Sequence, residues 1–295
     1  MIQNWTTGEL NALVKNLGGE EVARKIQRGG VRVNFEDVLK VLFDKNGRRI
    51  PEGLSASVCD ANRDSRLEQP KLEAEVDYAN RITRLHECLS VNTGITVEQL
   101  KAGTEHLLAL VRDDPRIANI ANGVFLPVVL PQLTTDDLGT ALEQYLEAVG
   151  KSYVRAFDDR KFYNHRKGTL VDEVGIVDGS RHDQLIERMK QGSVIGIHFP
   201  NPLQGFSINA GREQMSTLPE GFVLSGIDIP IAMMMYPDIL ARDYNTPGLD
   251  LVALSWQSAG DSLVFRAYGD GLGFDDTNGV AHAFGSYSGG LLFLG

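Results

Sequence analysis

The sequence predicts an α+β protein, with a helical N-terminal half and a C-terminal half built on a mixed or antiparallel sheet ending in a β-meander. Three observations carry this. Up to residue 190, apolar residues recur at three- and four-residue steps behind recognisable helix caps. After Lys190 the composition changes: no lysine follows, and three arginines (Arg212, Arg242, Arg266) stand against ten acidic residues. Residues 193–240 carry few charges and are cut by Pro200, Pro202, Pro219, Pro230 and Pro237, so they must fold as short pieces and turns rather than one helix.

Pattern divides the 295 residues into a helical hairpin plus a helix (1–47), a mainly helical region (48–170) and a sheet region (171–295), the last two packing as one unit. The apolar fraction of 42% and charged fraction of 23% are those of a globular chain with a substantial core. A net charge of −10 argues against non-specific nucleic-acid binding and against an anionic membrane surface. No apolar run approaches the roughly 18 residues of a membrane span, and residues 1–16 lack the pattern of a signal peptide. With two cysteines, Cys59 and Cys88, the chain fits a reducing compartment, and a soluble cytoplasmic protein is expected.

In order along the chain, Thr6 and Glu9 have the form of a capping box ahead of Leu10, Leu13, Val14 and Leu17. Gly18-Gly19 turns into a second short helix, which Gly29-Gly30 ends. The basic residues Lys15, Arg24, Lys25, Arg28 and Arg32 leave a nucleic-acid hairpin open beside a docking hairpin. A strand is expected at residues 31–33, then a helix from Asn34 carrying Leu42 and Phe43. Helix faces follow at Tyr78, Ile82, Leu85 and Leu89, at Leu100, Leu107, Leu108 and Val111, and most clearly at Leu138, Leu142, Tyr145, Leu146, Val149 and Tyr153. Residues 124–130 read as a strand that Pro127 confines to an edge. Residues 158–167 read as a solvated helix terminus or a ligand-holding cluster. Residues 180–183 repeat the cap pattern. Strands are expected at 194–199, 222–224, 249–256, 262–268, 280–284 and 291–294, with a Gly/Asp-rich loop at 269–279.

Candidate chemistry is sparse. Asp60, Asn62 and Asp64 match the first ligands of a calcium loop, but Ser65 stands where the turn glycine belongs and Lys71 where the closing Glu belongs. His86, Cys88 and Cys59 lack the paired spacing of a zinc site. No metal and no cofactor is expected. There is no G-x-S-x-G elbow. The acid–base candidates are His198, at the end of an expected strand, with His182 and His165.

The segments NALVKNLGGEEVARKIQRG (residues 11–29), DVLKVLFDKNGRRIPEGL, GIHFPNPLQGFSINAGREQMSTLPEGF and TPGLDLVALSW resemble a family of uncharacterised paralogous proteins of candidate-phylum bacteria (Patescibacteria). The likeness spans essentially the whole chain and implies a bacterial protein with no assigned activity, so no site residue follows from it. Trp256, Phe265, Tyr268, Phe284 and the Gly-rich loops also resemble the ending of C-type-lectin-like domains, although the usual closing Gly-Phe-Arg is absent. The expected function is a binding or interaction module for a protein or small-molecule ligand, with Arg212, Trp256 and Tyr268 as anchors on the loops at 201–211 and 269–279. A C-type-lectin-like ligand-binding domain, or an enzyme using His198 with an acidic partner, is the alternative.

Overall fold

Thr6 caps α1 (Thr7–Asn16): its hydroxyl accepts the Glu9 amide, and the Glu9 carboxylate accepts the Thr6 amide at 2.7 Å. The structure is a computed structural model and describes residues 6–31, 39–69 and 78–295. Gly18 and Gly19, both at positive φ, turn the chain into α2 (Glu20–Gln27). Neither helix has a buried residue. On α2, Arg24 and Lys25 pair with Glu20 and Glu21 one turn earlier, at 2.5 and 2.9 Å, so much of the local basic charge is balanced. These helices belong to one unit, Met1–Lys40; Val41–Gly295 is a second.

The strand expected at 31–33 and the helix start at Asn34 fall largely outside the described residues. Leu42 and Phe43 are not helical. Both are buried, and Phe43 bridges Arg49 across the turn at residues 44–47.

The periodic segments of the second unit fold as their spacing predicts, into α3 (Tyr78–Leu89), α4 (Val97–Asp113) and α5 (Leu138–Ala156). Thr96 and Gln99 form a capping box on α4, and Asp137 caps α5 by accepting the Thr140 amide at 2.6 Å. The apolar face of α5 packs on α3 and on α8 (Asp228–Met235). Every residue of α8 is buried; a helix that is apolar all round is one surrounded by protein.

One sheet runs in the order β1 (Leu126–Leu130), β4 (Val194–Phe199), β11 (Leu291–Phe293), β5 (Phe222–Leu224), antiparallel throughout. Pro127 lies on the edge strand β1, where a missing N–H is tolerated. Strand alternation sorts the two faces. Ile197, Phe199, Phe222, Leu224, Leu291 and Phe293 enter a core shared with α4. Val223 and Leu292 enter the core that contains α8, and His198 shares their face because it is in register with Leu126 and Leu292.

The second sheet is mixed, in the order β10 (Tyr287–Gly289), β6 (Gly248–Asp250), β8 (Asp261–Ala267), β9 (Gly271–Asn278), β2 (Lys161–Asn164). Its end pairs, β10 with β6 and β2 with β9, are parallel; β6, β8 and β9 run antiparallel. A short pair joins β3 (Val174–Ile176) to β7 (Leu254–Trp256). The helices α6 (His182–Gln191), α7 (Ile208–Gln214) and α9 (Pro237–Leu240) complete the unit.

Three expectations change here. Residues 158–167 contain β2 rather than a helix end, and residues 269–279 are mostly β9 rather than loop. Their glycines serve close approach: a Cβ on Gly271 would lie 2.3 Å from the Lys161 carbonyl oxygen, and one on Gly273 would lie 2.6 Å from the Tyr268 ring. Residues 280–284 form no strand; they turn the chain towards β10. Among the described residues, no helix is long and apolar enough to cross a membrane.

Candidate functional site

His198 meets the carboxylate of Asp228 at the start of α8, and His182 binds the backbone of the same turn. The Gly226 amide donates to Asp228 Oδ1 at 2.6 Å, and His198 Nδ1 meets Oδ2 at 2.8 Å. A carboxylate only accepts, so His198 carries a proton on Nδ1. Ser225 Oγ lies 3.3 Å from the same nitrogen, and His198 Nε2 has no partner. His182 Nδ1 donates to the Leu224 carbonyl at 3.0 Å, while its Nε2 accepts the Ile227 amide at 3.2 Å. A carbonyl cannot donate and an amide cannot accept, so this ring is neutral with its proton on Nδ1.

The electrostatics agree with that assignment. Burial pushes the His182 pKa down. For Asp228, burial acts upward, but the hydrogen bonds from His198 and the Gly226 amide hold the carboxyl below its ordinary range. The side chains of His182, His198, Ser225 and Asp228 are fully buried. Nor is the arrangement a catalytic triad. Ser225 and Asp228 share one ring nitrogen, whereas a triad places the nucleophile and the orienting acid on opposite nitrogens. The cluster pins β4, the β5–α8 turn and α6 together.

The other sequence candidates lie apart. Arg212 reaches from α7 to three backbone carbonyls, those of Val252, Ala259 and Leu254, at 3.0, 3.1 and 3.1 Å. Trp256 is buried; its Nε1 donates to the Thr169 carbonyl at 3.3 Å, and the Arg166 guanidinium lies over its ring. Tyr268 covers Gly273. His165 is exposed beside the Tyr163 ring. The first two bind their own chain, so the loop set at 201–211 and 269–279 does not gather Arg212, Trp256 and Tyr268 into one surface.

A different carboxylate stands open. Leu249 points into the core behind the second sheet, so alternation turns Asp250 to the opposite face of β6. Asp250 is 5% exposed, and its Oδ1 is buried without a hydrogen-bond partner. It borders a cleft of about 320 Å³ together with Phe206, Arg266, His282, Phe284 and Tyr287.

The sheet register builds this cleft. Tyr287 on β10 pairs with Gly248 on β6, and a Cβ at Gly248 would lie 3.0 Å from the Tyr287 ring, so glycine gives the ring room to lie close against β6. Arg266 projects from β8 and places its guanidinium 5.1 Å from the Tyr287 centroid. The rings of His282, Phe284 and Tyr287 follow at spacings of 6.4 and 5.6 Å, and Phe284 is 55% exposed. Burial pushes the Asp250 carboxyl up to about 7, against the opposing charge of Arg266. A carboxyl poised there can accept from a ligand donor or exchange a proton near neutral pH.

Sequence reasoning missed Asp250 and Asp228. In both cases the available signal was a lone acid inside an apolar run, LDLVAL at 249–254 and SGIDIPIAM at 225–233. Among the described residues, no three His, Cys, Asp or Glu side chains gather as metal ligands. In the loop that resembles a calcium site, Asn62 Oδ1 accepts the Asp64 amide at 2.9 Å. Cys88 is buried, which pushes its thiol pKa up, and Cys59 is exposed; both are free. Comparison with protein-family models, with curated proteins and with solved structures finds no match to this chain.

Proposed function

We propose that this protein is a binding module that holds a small ligand in the cleft over β6 and β8. One observation carries the reading: Asp250 Oδ1 is buried, unpartnered and set in an aromatic-lined cleft. Burying an ionisable oxygen without a hydrogen-bond partner is costly, and the charge of Arg266 offsets that cost only in part. A polar group placed among aromatic walls is what orients a ligand in a binding cleft.

Ligand-observed NMR tests this, with a library of small polar and aromatic compounds run against the wild type and Asp250→Asn. Compounds that bind the wild type and lose their signal in the variant support the reading. Binding that is indifferent to the substitution counts against it.

The second reading is an enzyme using His198 with an acidic partner. It has the 2.8 Å contact to Asp228 in its favour, and against it the complete burial of both side chains. Activity that survives His198→Gln would remove it.

A further inference from the structure

The cleft over β6 and β8 carries two opposite charges that do not neutralise each other. Asp250 is buried at its floor, and Arg266 is exposed at its rim. No ion pair joins them, although the Arg266 charge acts on the Asp250 carboxyl. Of the three arginines after Lys190, Arg212 is bonded to three carbonyls, and Arg242 pairs with Glu68 and Asp243 at 3.0 and 3.1 Å. Arg266 lies against the Tyr287 ring and has no carboxylate or carbonyl partner among the described residues. Asp276 also borders the cleft, but Arg166 holds it at 2.6 Å.

Register fixes the spacing. Asp250 pairs with Val264, so Arg266 is its diagonal neighbour on the same sheet face. The α-carbons of such neighbours stand roughly 7–8 Å apart. A molecule with adjacent amine and carboxylate groups offers one group to each side chain. An anion alone would meet Asp250 with nothing to offset its charge. A cation alone would face Arg266 at the rim. A neutral ligand would leave both charges unpaired. Phe206, Ile208, Phe284 and Tyr287 supply an apolar wall beside Thr277 and His282, and about 320 Å³ is near the lower end of the roughly 300–1,000 Å³ of small-molecule sites.

We propose that the occupant is a free α-amino acid with an apolar or aromatic side chain, its ammonium on Asp250, its carboxylate on Arg266 and its side chain against Phe284 and Phe206. This rests on the cleft being the binding site.

The test is isothermal titration calorimetry with L-phenylalanine and its two single-charge analogues, phenethylamine and 3-phenylpropionate, plus methyl glucoside as a neutral probe. The proteins are the wild type, Asp250→Asn and Arg266→Gln. Phenylalanine is expected to bind the wild type about tenfold or more tightly than either analogue, the scale of one charged hydrogen bond. Asp250→Asn should weaken phenylalanine by a similar factor while leaving 3-phenylpropionate unchanged or tighter. Arg266→Gln should weaken phenylalanine and spare phenethylamine.

If one analogue or the glucoside matches or exceeds phenylalanine, and Asp250→Asn alters its binding, the amino-acid proposal falls and the cleft remains the site. If phenylalanine binds equally to the wild type and Asp250→Asn, both fail. If none of the four binds, the amino-acid proposal falls, and the compound library against Asp250→Asn decides the cleft separately.

Discussion

Replacing Asp250 by asparagine isolates the cost of its unpaired charge. The carboxyl is pushed from 3.8 to about 7 by burial. The folded protein therefore binds this proton more tightly than the unfolded chain does. Between these two values the folded state holds more protons, so stability falls as pH rises through the window, and the full cost is present above it. A shift of about three units at 1.36 kcal/mol each corresponds to about 4 kcal/mol at pH 8 and about 1 kcal/mol at pH 4.5. Asparagine has nearly the same shape and no charge at either pH. Its amide brings its own burial cost, but that cost does not vary with pH. The diagnostic quantity is therefore the difference, about 3 kcal/mol between the two pH values. The assay is urea unfolding of both proteins, followed by circular dichroism at a series of pH values. The expected result is a variant more stable than the wild type at pH 8, with an advantage that shrinks steadily on acidification. A stability difference that stays constant with pH would show that Asp250 is hydrated or paired, and would remove the physical basis of the cleft reading.

Four other outcomes follow from the same structure. Asp228→Ala strips the acceptor from His198 Nδ1 and the Gly226 amide inside the core, and should cost about 3–5 kcal/mol in urea unfolding; a loss under about 1 kcal/mol would contradict the pinning role. His182, with its pKa lowered by burial, should stay neutral in the folded state below its ordinary 6.5, so its contribution weakens stability as pH falls through that value; nitrogen NMR should show the Nδ1–H tautomer, and an imidazolium signal near pH 6 would disprove it. Gly139→Ala would set a Cβ 1.8 Å from the Leu170 carbonyl oxygen, so α5 must shift, and a lowered melting temperature is expected where an exposed helix position would gain from alanine. Arg212→Ala removes donors from three carbonyls and should lower stability by about 2 kcal/mol without touching ligand affinity, a separation that calorimetry and urea unfolding read independently.

Much of the architecture was legible in local pattern. The helix caps at Thr6 and Thr96, the face of α5 and the edge position of Pro127 each follow from short-range rules that tertiary packing did not override. Where reading failed, the reason was long-range. Lys161 to Asn164 pair with a strand more than a hundred residues away, and no local alternation announces that. Gly271 and Gly273 look like turn residues, yet they are required by backbone and ring contacts across β9. His198 stood out as an acid–base candidate at a strand end, and the structure buries it completely. Its partner Asp228 was hidden because strand-to-helix convergence is not written in spacing. Arg212 and Trp256 suggested a recognition surface by residue type, but their polar groups serve the chain's own carbonyls. Asp250 was the opposite case: an acid that breaks an apolar strand without any internal reward marks a functional candidate, and its lack of a partner is visible only in three dimensions.

The most direct test is a carbon NMR titration of the Asp250 side-chain carboxyl, first in the free protein and then with saturating L-phenylalanine. The expected result is a midpoint near 7 in the free protein, falling on addition of the amino acid as its ammonium supplies the missing partner. A midpoint at the ordinary 3.8 in the free protein would mean that the carboxylate is already satisfied, and the cleft would lose its claim to be a binding site.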